Sequence, residues 1–185
     1  NGGYILQPAP QGDGTLELGA TTISGSQALG ATTEDTHAYT TGSTSSATGL
    51  PLSLRETPQS VTVITRQQMD DRGAQDVGDL LRNTPGITQQ AYDSDRMEFS
   101  SRGFAITNYQ YDGINRPYDG VYGEAATNVD AATLDRVEVI KGATGLMTGS
   151  GDPSATVNLV RKKPTREFKA SVSGTVGSWD AYRTE

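Results

Sequence analysis

The 185-residue chain has no cysteine, one histidine, one tryptophan and three phenylalanines. The absence of cysteine excludes a disulfide framework and any thiolate metal site, and leaves the redox compartment unspecified. His37 is the lone histidine, so a Ser-His-Asp constellation has no base outside the polar stretch that carries it. Carboxylates are scattered and not paired, which argues against acid-base catalysis. Asp93 and Asp95 do not open a calcium loop, because its glycine and terminal glutamate do not follow. Positive charge is also short: 15 Lys and Arg stand against 22 Asp and Glu, a formal charge of -7. That balance repels a phosphate backbone and excludes nucleic acid as a partner. No apolar run reaches the length of a membrane helix, and no signal-peptide pattern opens the sequence. If the protein is exported, its signal is expected to have been removed.

What is present is glycine, serine and threonine in quantity, with a hydrophobic share of only 34%. Such a chain forms one small core with much of its length in loops. Residues 1–10 hold one short apolar stretch closed by prolines and read as the edge of another domain. Residues 11–50 are dominated by small polar residues and read as a mobile linker, since they bring too little apolar surface to offset the entropy of ordering. Order is expected from Pro51. Ser60 to Ile64 is a β-branched strand, and Thr65 with Gln68 has capping-box spacing for a helix that stops at Gly73. A second helix around Val77, Leu80 and Leu81 must end before Pro85. Strands follow at Ile87 to Tyr92, Met97 to Arg102 and Tyr109 to Asp112, with Asp112-Gly113 as a hairpin turn. Residues 115–130 read as a long functional loop. Leu134 to Ile140 is a strand, Gly142 to Gly151 a glycine-rich loop, and Thr156 to Val160 a last core strand. The expected fold is α+β, a small mixed sheet with short helices over residues 51–165.

Beyond Pro164 the pattern changes to a dyad. Phe168, Ala170, Val172, Gly174 and Val176 fall on one face, and Lys169, Ser171, Ser173 and Thr175 on the other. Trp179 and Tyr182 follow where an interfacial aromatic girdle would sit. This is the pattern of a transmembrane barrel strand, and also of an amphipathic strand on a soluble sheet. The loop after Ile140 invites a nucleotide-binding reading, but it lacks a Gly-Lys-Ser/Thr ending and leads through Asp152-Pro153 into a strand, where a helix N-terminus is needed.

Several segments together, in this order, resemble TonB-dependent siderophore receptors: Pro58 to Thr65, Asp79 to Ile87, Ser101-Arg102-Gly103-Phe104, Tyr111-Asp112-Gly113-Ile114, Leu134 to Gly149 and Thr156 to Thr165. The wording is most similar to receptors of the pyoverdine or pseudobactin type that also transduce a signal. The resemblance implies a plug lodged in a β-barrel of the bacterial outer membrane, with its tail in the periplasm and residues 166–185 opening the barrel. A single strand cannot satisfy its backbone in lipid, so that last stretch requires the other barrel strands.

The resemblance also implies partners and site residues. Residues 11–50 would carry a TonB box, best matched by Thr15, Leu16, Glu17, Leu18, Gly19, Ala20, Thr21, Thr22 and Ile23. An extended segment there suits recognition by strand addition. A competing position lies at Thr33 to Tyr39. For the ferric siderophore the expected contacts are Arg102, Arg116, Tyr118 and Tyr122, because Arg presents a fork of donors to chelate oxygens and Tyr adds aromatic surface with one hydroxyl. The alternative for Arg102 is an ion pair with the barrel wall, and for the other three a solvated loop. Arg136, Glu138, Arg161, Lys162 and Lys163 are expected in plug-barrel salt bridges. No cofactor is expected, the iron arriving inside the siderophore. An inner-membrane anti-sigma regulator would be reached through the signalling domain of which residues 1–10 are the edge. Two other readings stay open: a soluble periplasmic interaction or signalling module with this fold, and a receptor for cobalamin, haem or a carbohydrate.

Overall fold

The computed structural model describes residues 32–92, 97–116, 129–143, 145–149 and 153–165, and towards the C-terminus 167–168, 170, 172–179 and 181–184. Strand β1 (Ser60–Thr65) runs straight into helix α1 (Arg66–Arg72). The capping box is present as expected: the Thr65 hydroxyl accepts from the Gln68 N–H, and the Gln68 side chain accepts from the Thr65 N–H. Gly73 ends the helix at φ 60°, a left-handed conformation that glycine adopts without strain. Helix α2 (Val77–Arg82) is capped by Asp76 and buries Val77, Leu80 and Leu81, the positions picked out by their helical spacing.

The chain then forms β2 (Thr88–Ala91), β3 (Met97–Ser101) and β4 (Phe104–Ala105), an antiparallel three-stranded sheet. Next come β5 (Asn108–Tyr111) and β6 (Ile114–Arg116), joined through Asp112-Gly113 as a hairpin with positive φ at both turn residues. A 3-10 turn (Ala131–Thr133) leads into β7 (Leu134–Lys141). The glycine-rich stretch carries a one-turn helix, α3 (Gly145–Thr148), before β8 (Ala155–Arg161). The central sheet has the order β1-β7-β8-β5-β6 and is mixed, because β5 runs parallel to β8 while its other pairs are antiparallel.

Register sorts the two faces of this sheet. Ile64, Val137, Leu159 and Tyr111 lie in one cross-strand row, and Val139, Val157 and Tyr109 in the next. They pack with Met69, Val77, Leu80, Leu81, Phe99 and Ile106 into the hydrophobic core. Each such side chain contributes roughly 1.5–3 kcal/mol on full burial. Arg66 closes one end: its guanidinium donates to the carbonyls of Ala131 and Leu134, at 2.6 and 3.0 Å, joining α1 to the start of β7.

Two expectations change. Residues 33–50, read from composition as mobile linker, lie ordered across the sheet, with Thr33, Thr41, Ser43 and Thr44 buried. The entropy of ordering is met there by hydrogen bonds to buried carboxylates and not by apolar surface. The dyad expected as one barrel strand from Phe168 to Val176 is seen, among the described residues, as a short hairpin of β9 (Gly174–Val176) and β10 (Tyr182–Thr184). Strand backbone needs a partner, and here the partner is local, across a turn in which Trp179 has φ 62°.

Candidate functional site

The second face of the central sheet is polar. Glu138, Asn158, Gln110 and Asn115 stand side by side on β7, β8, β5 and β6, and the first three are buried. Gln110 Nε2 donates to Asn115 Oδ1 at 2.8 Å, and Asn158 Oδ1 accepts from the Gly113 N–H at 2.9 Å. Val137 and Val139, or Val157 and Leu159, face the core from the same strands. The alternation along Arg136 to Val139 and Thr156 to Leu159 is the signal in the sequence for this second face.

Residues 33–46 cover part of it. The N–H groups of Thr33 and Glu34 donate to Asp135 Oδ1 at 2.9 and 2.7 Å, and the Thr33 hydroxyl donates to the Asp135 carbonyl at 2.7 Å. Thr44 Oγ1 donates to Glu138 Oε2 at 3.0 Å, and Ser46 Oγ donates to the same oxygen. Asn158 Nδ2 completes the junction by donating to Ser46 Oγ at 2.7 Å. Asp135, Thr44, Ser46 and Asn158 were not among the expected functional residues.

Arg136 and Glu138, expected to reach a surrounding barrel, pair inside the domain. Arg136 Nε lies 2.7 Å from Glu138 Oε1 and Nη1 lies 2.9 Å from Asp135 Oδ2, while Glu138 is fully buried. They share a face of β7 that residues 33–46 cover, which leaves the Glu138 carboxylate no outward path. Burial alone would lower the Arg136 pKa, but the Glu138 and Asp135 carboxylates outweigh it and raise it.

A cleft of about 740 Å³ opens beside this cover, lined by Gln110 and Asn158 from the sheet, Ser46 and Gly49 from the crossing segment, and Met147 from α3. Arg161, Lys162 and Lys163 form its basic rim, with Arg136 in its wall. Arg161 is paired with Asp112 at 2.6 Å and Lys162 with Glu34 at 3.7 Å. Lys163 is exposed and its charge acts on Asp112.

The two described arginines expected at the ligand lie elsewhere. Arg102 is not a strand residue: with φ 56° it shares a two-residue turn with Gly103 between β3 and β4. Its guanidinium lies over Gly142, where an added Cβ would come within 2.6 Å of Nη1. Arg116, on β6, is exposed and stacks over the Tyr111 ring with its carbon 5.7 Å from the centroid, and Nη1 donates to the Tyr111 hydroxyl at 3.3 Å. Both sit towards the end of the sheet where β7 finishes, and the Asp112–Arg161 pair marks the other end. Tyr118, Tyr122 and residues 15–23 lie outside the described residues.

The family model for the TonB-dependent Receptor Plug Domain matches residues 53–156. The chain belongs to the TonB-dependent receptor plug family. This plug is 54% identical over 181 residues to the ferripyoverdine receptor of Pseudomonas aeruginosa, covering 97% of the chain and 22% of the receptor. It is 51% identical to the ferric-pyoverdine 358 receptor of Pseudomonas putida, over 98% of the chain and 22% of that protein. In structure it resembles the ferripyoverdine receptor of the outer membrane of Pseudomonas aeruginosa bound to ferripyoverdine, with a TM-score of 0.79 and 55% identity over 83% of the chain and 20% of the receptor. The chain thus spans about a fifth of the length of the relatives it matches. The match to the plug family starts at Ser53, directly after the segment that crosses the polar face.

Proposed function

We propose that this plug gates a TonB-dependent receptor of the bacterial outer membrane that imports a ferric siderophore of the pyoverdine or pseudobactin type. The observation that carries the reading is the 54% identity to a ferripyoverdine receptor across 97% of the chain. Iron enters as cargo within its chelate, and the plug adds no cofactor of its own. Phe168, Val172 and Trp179 are 97%, 90% and 97% exposed, an apolar surface that suits a barrel lining or lipid and disfavours the soluble-module reading.

In this reading Arg102 and Arg116, with Tyr118 and Tyr122, meet the chelate at one end of the plug, Arg116 held in orientation by the Tyr111 ring. Arg161, Lys162 and Lys163 are offered to the barrel wall. TonB takes residues 15–23 by strand addition. The competing position is less suited, because the N–H groups of Thr33 and Glu34 are already committed to Asp135. An inner-membrane anti-sigma regulator is contacted through a periplasmic signalling domain adjoining residues 1–10.

The test is uptake of radiolabelled ferric pyoverdine by cells whose receptor carries this plug. Deletion of residues 15–23 should abolish uptake while binding persists, and Arg102→Ala with Arg116→Ala should weaken binding at least tenfold. A receptor that ignores ferric pyoverdine but binds a haem or cobalamin cargo would refute the cargo assignment. Unchanged uptake without residues 15–23 would refute the TonB-box assignment.

A further inference from the structure

The hydrophobic core begins at Ile64 and draws no residue from 32–59. Across residues 33–52 Ala47 is the buried apolar residue, while Tyr39 and Leu50 are about 60% exposed, at 59% and 61%. The described ties from this stretch to the sheet and to α1 are polar: to Asp135 from Thr33 and Glu34, to Glu138 from Thr44 and Ser46, from Thr65, Arg66, Gln68 and Asn158 to Ala38, Thr33, Tyr39 and Ser46, and in the pairs His37–Gln67, Tyr39–Asp71 and Glu34–Lys162. Backbone bonds between Thr44 and Leu52, at 2.8 and 3.1 Å, fold the stretch onto itself as one isolated bridge, too little to protect those amides once the stretch leaves the sheet.

We infer that residues 33–52 are a detachable cover, latched to β7 by the carboxylates of Asp135 and Glu138, whose release leaves the core folded and uncovers Glu138 beside Asn158 and Gln110, which already line the adjoining cleft. Three physical points carry this. Apolar burial resists separation in proportion to area, and here that area is small. Charge-assisted hydrogen bonds hold firmly, yet water can replace them once the donors leave. Glu138 keeps Arg136 as its partner after release, so the exposed face is not left with an unpaired buried charge. The catches also act in sequence. Asp135 holds residues 33–34 and Glu138 holds residues 44–46. A pull from the N-terminal side therefore loads them one after the other.

The use of such a cover rests on the gating reading, since it gives tension on the tail a defined first product: a plug with its core intact and a hydrophilic seam uncovered. The latch itself is testable without any transport. Amide hydrogen exchange should be followed residue by residue on the whole 185-residue chain. Exchange at Thr44 and Leu52 is expected to be at least tenfold faster than in the centres of β7 and β8. Asp135→Asn and Glu138→Gln should each accelerate exchange over 33–52 by about tenfold, as loss of a charge-assisted hydrogen bond implies, with β5, β7 and β8 unchanged. Because changes on β7 could disturb folding, the variant Thr44→Val with Ser46→Ala, made on the cover, should give the same local acceleration. Exchange of 33–52 at the rate of β7 and β8, a uniform rise across the chain in the variants, or no change over 33–52 would each overturn the inference. None of these outcomes depends on which cargo the receptor carries, so the latch and the receptor assignment can fail separately.

Discussion

The Asp112 carboxylate receives both the backbone N–H and the Nε–H of Arg161, at 3.0 and 2.7 Å, fastening the β5–β6 turn to the end of β8. The Asp112 N–H donates to the Leu159 carbonyl at 3.0 Å, so the side chain continues a ladder that the backbone alone would end. Asp112→Ala should lower stability by about 1 kcal/mol, a modest figure because both contacts of the carboxylate are exposed. The shift in the urea midpoint measures it.

Acid should loosen the same clamp. Burial alone would raise the Asp112 pKa, but the Arg161 N–H and guanidinium, helped by Lys163, hold it below the ordinary carboxylate value. Asp130 behaves alike: burial is outweighed by the Ala132 N–H and Arg183. A folded-state pKa below the unfolded one means that the stabilisation is in place above the unfolded value of about 3.9 and is lost as pH falls through the folded value. The stability deficit of Asp112→Asn should therefore be larger at about pH 6 than near pH 2.5. A gap of equal size at both pH values would contradict this.

Gly142→Ala separates backbone strain from side-chain crowding. Gly142 has φ 104°, a conformation costly for any residue with a Cβ, and the new methyl would meet the Arg102 guanidinium. Arg102 is long and exposed and can move aside, so the strain is what remains. We expect a loss of about 1–3 kcal/mol that persists when Arg102→Ala is added. Full rescue by Arg102→Ala would instead assign the cost to crowding.

Thr65→Ala removes the N-cap of α1 and also the hydroxyl that donates to the Ala38 carbonyl at 2.7 Å. A loss of about 1–2 kcal/mol is expected for the cap, read as a lower thermal midpoint. Ala38 belongs to the crossing segment, so the same change should increase protease nicking between residues 33 and 52.

Local chemistry explains which parts of the plug were legible in sequence. The capping box of Thr65 and Gln68, the stop at Gly73, the spacing of Val77, Leu80 and Leu81 and the Asp112-Gly113 turn are each decided within a few residues, and the structure has all of them. Composition does not reveal the cover, because it weighs apolar burial, whereas the bonds of the cover run to the Asp135 carboxylate, 101 and 102 residues away, and to that of Glu138, 92 and 94 residues away. The parallel pairing of β5 with β8 likewise joins Asn108 to Thr156 and leaves no local mark. Arg102 was read as the end of an alternating strand. The Arg-Gly pair carries the turn signal there, and it overrides the strand periodicity that leads into it. Arg136 and Glu138 were assigned outward because the face that hides them is built by distant residues.

The interleaved order of the central sheet also governs how the chain can be assembled. Ser60 meets Lys141 and Asn108 meets Thr156, so apart from the β5–β6 hairpin no strand of that sheet finds its neighbour until β7 and β8 exist. During synthesis from the N-terminus, Ile64, Met69, Leu80 and Leu81 wait for Val137, Val139 and Leu159 to cover them. Distant pairings of this kind make folding slow, and the waiting apolar surface is open to carrier proteins or to aggregation. The topology therefore gives the newborn polypeptide an obligatory interval as an unfolded passenger.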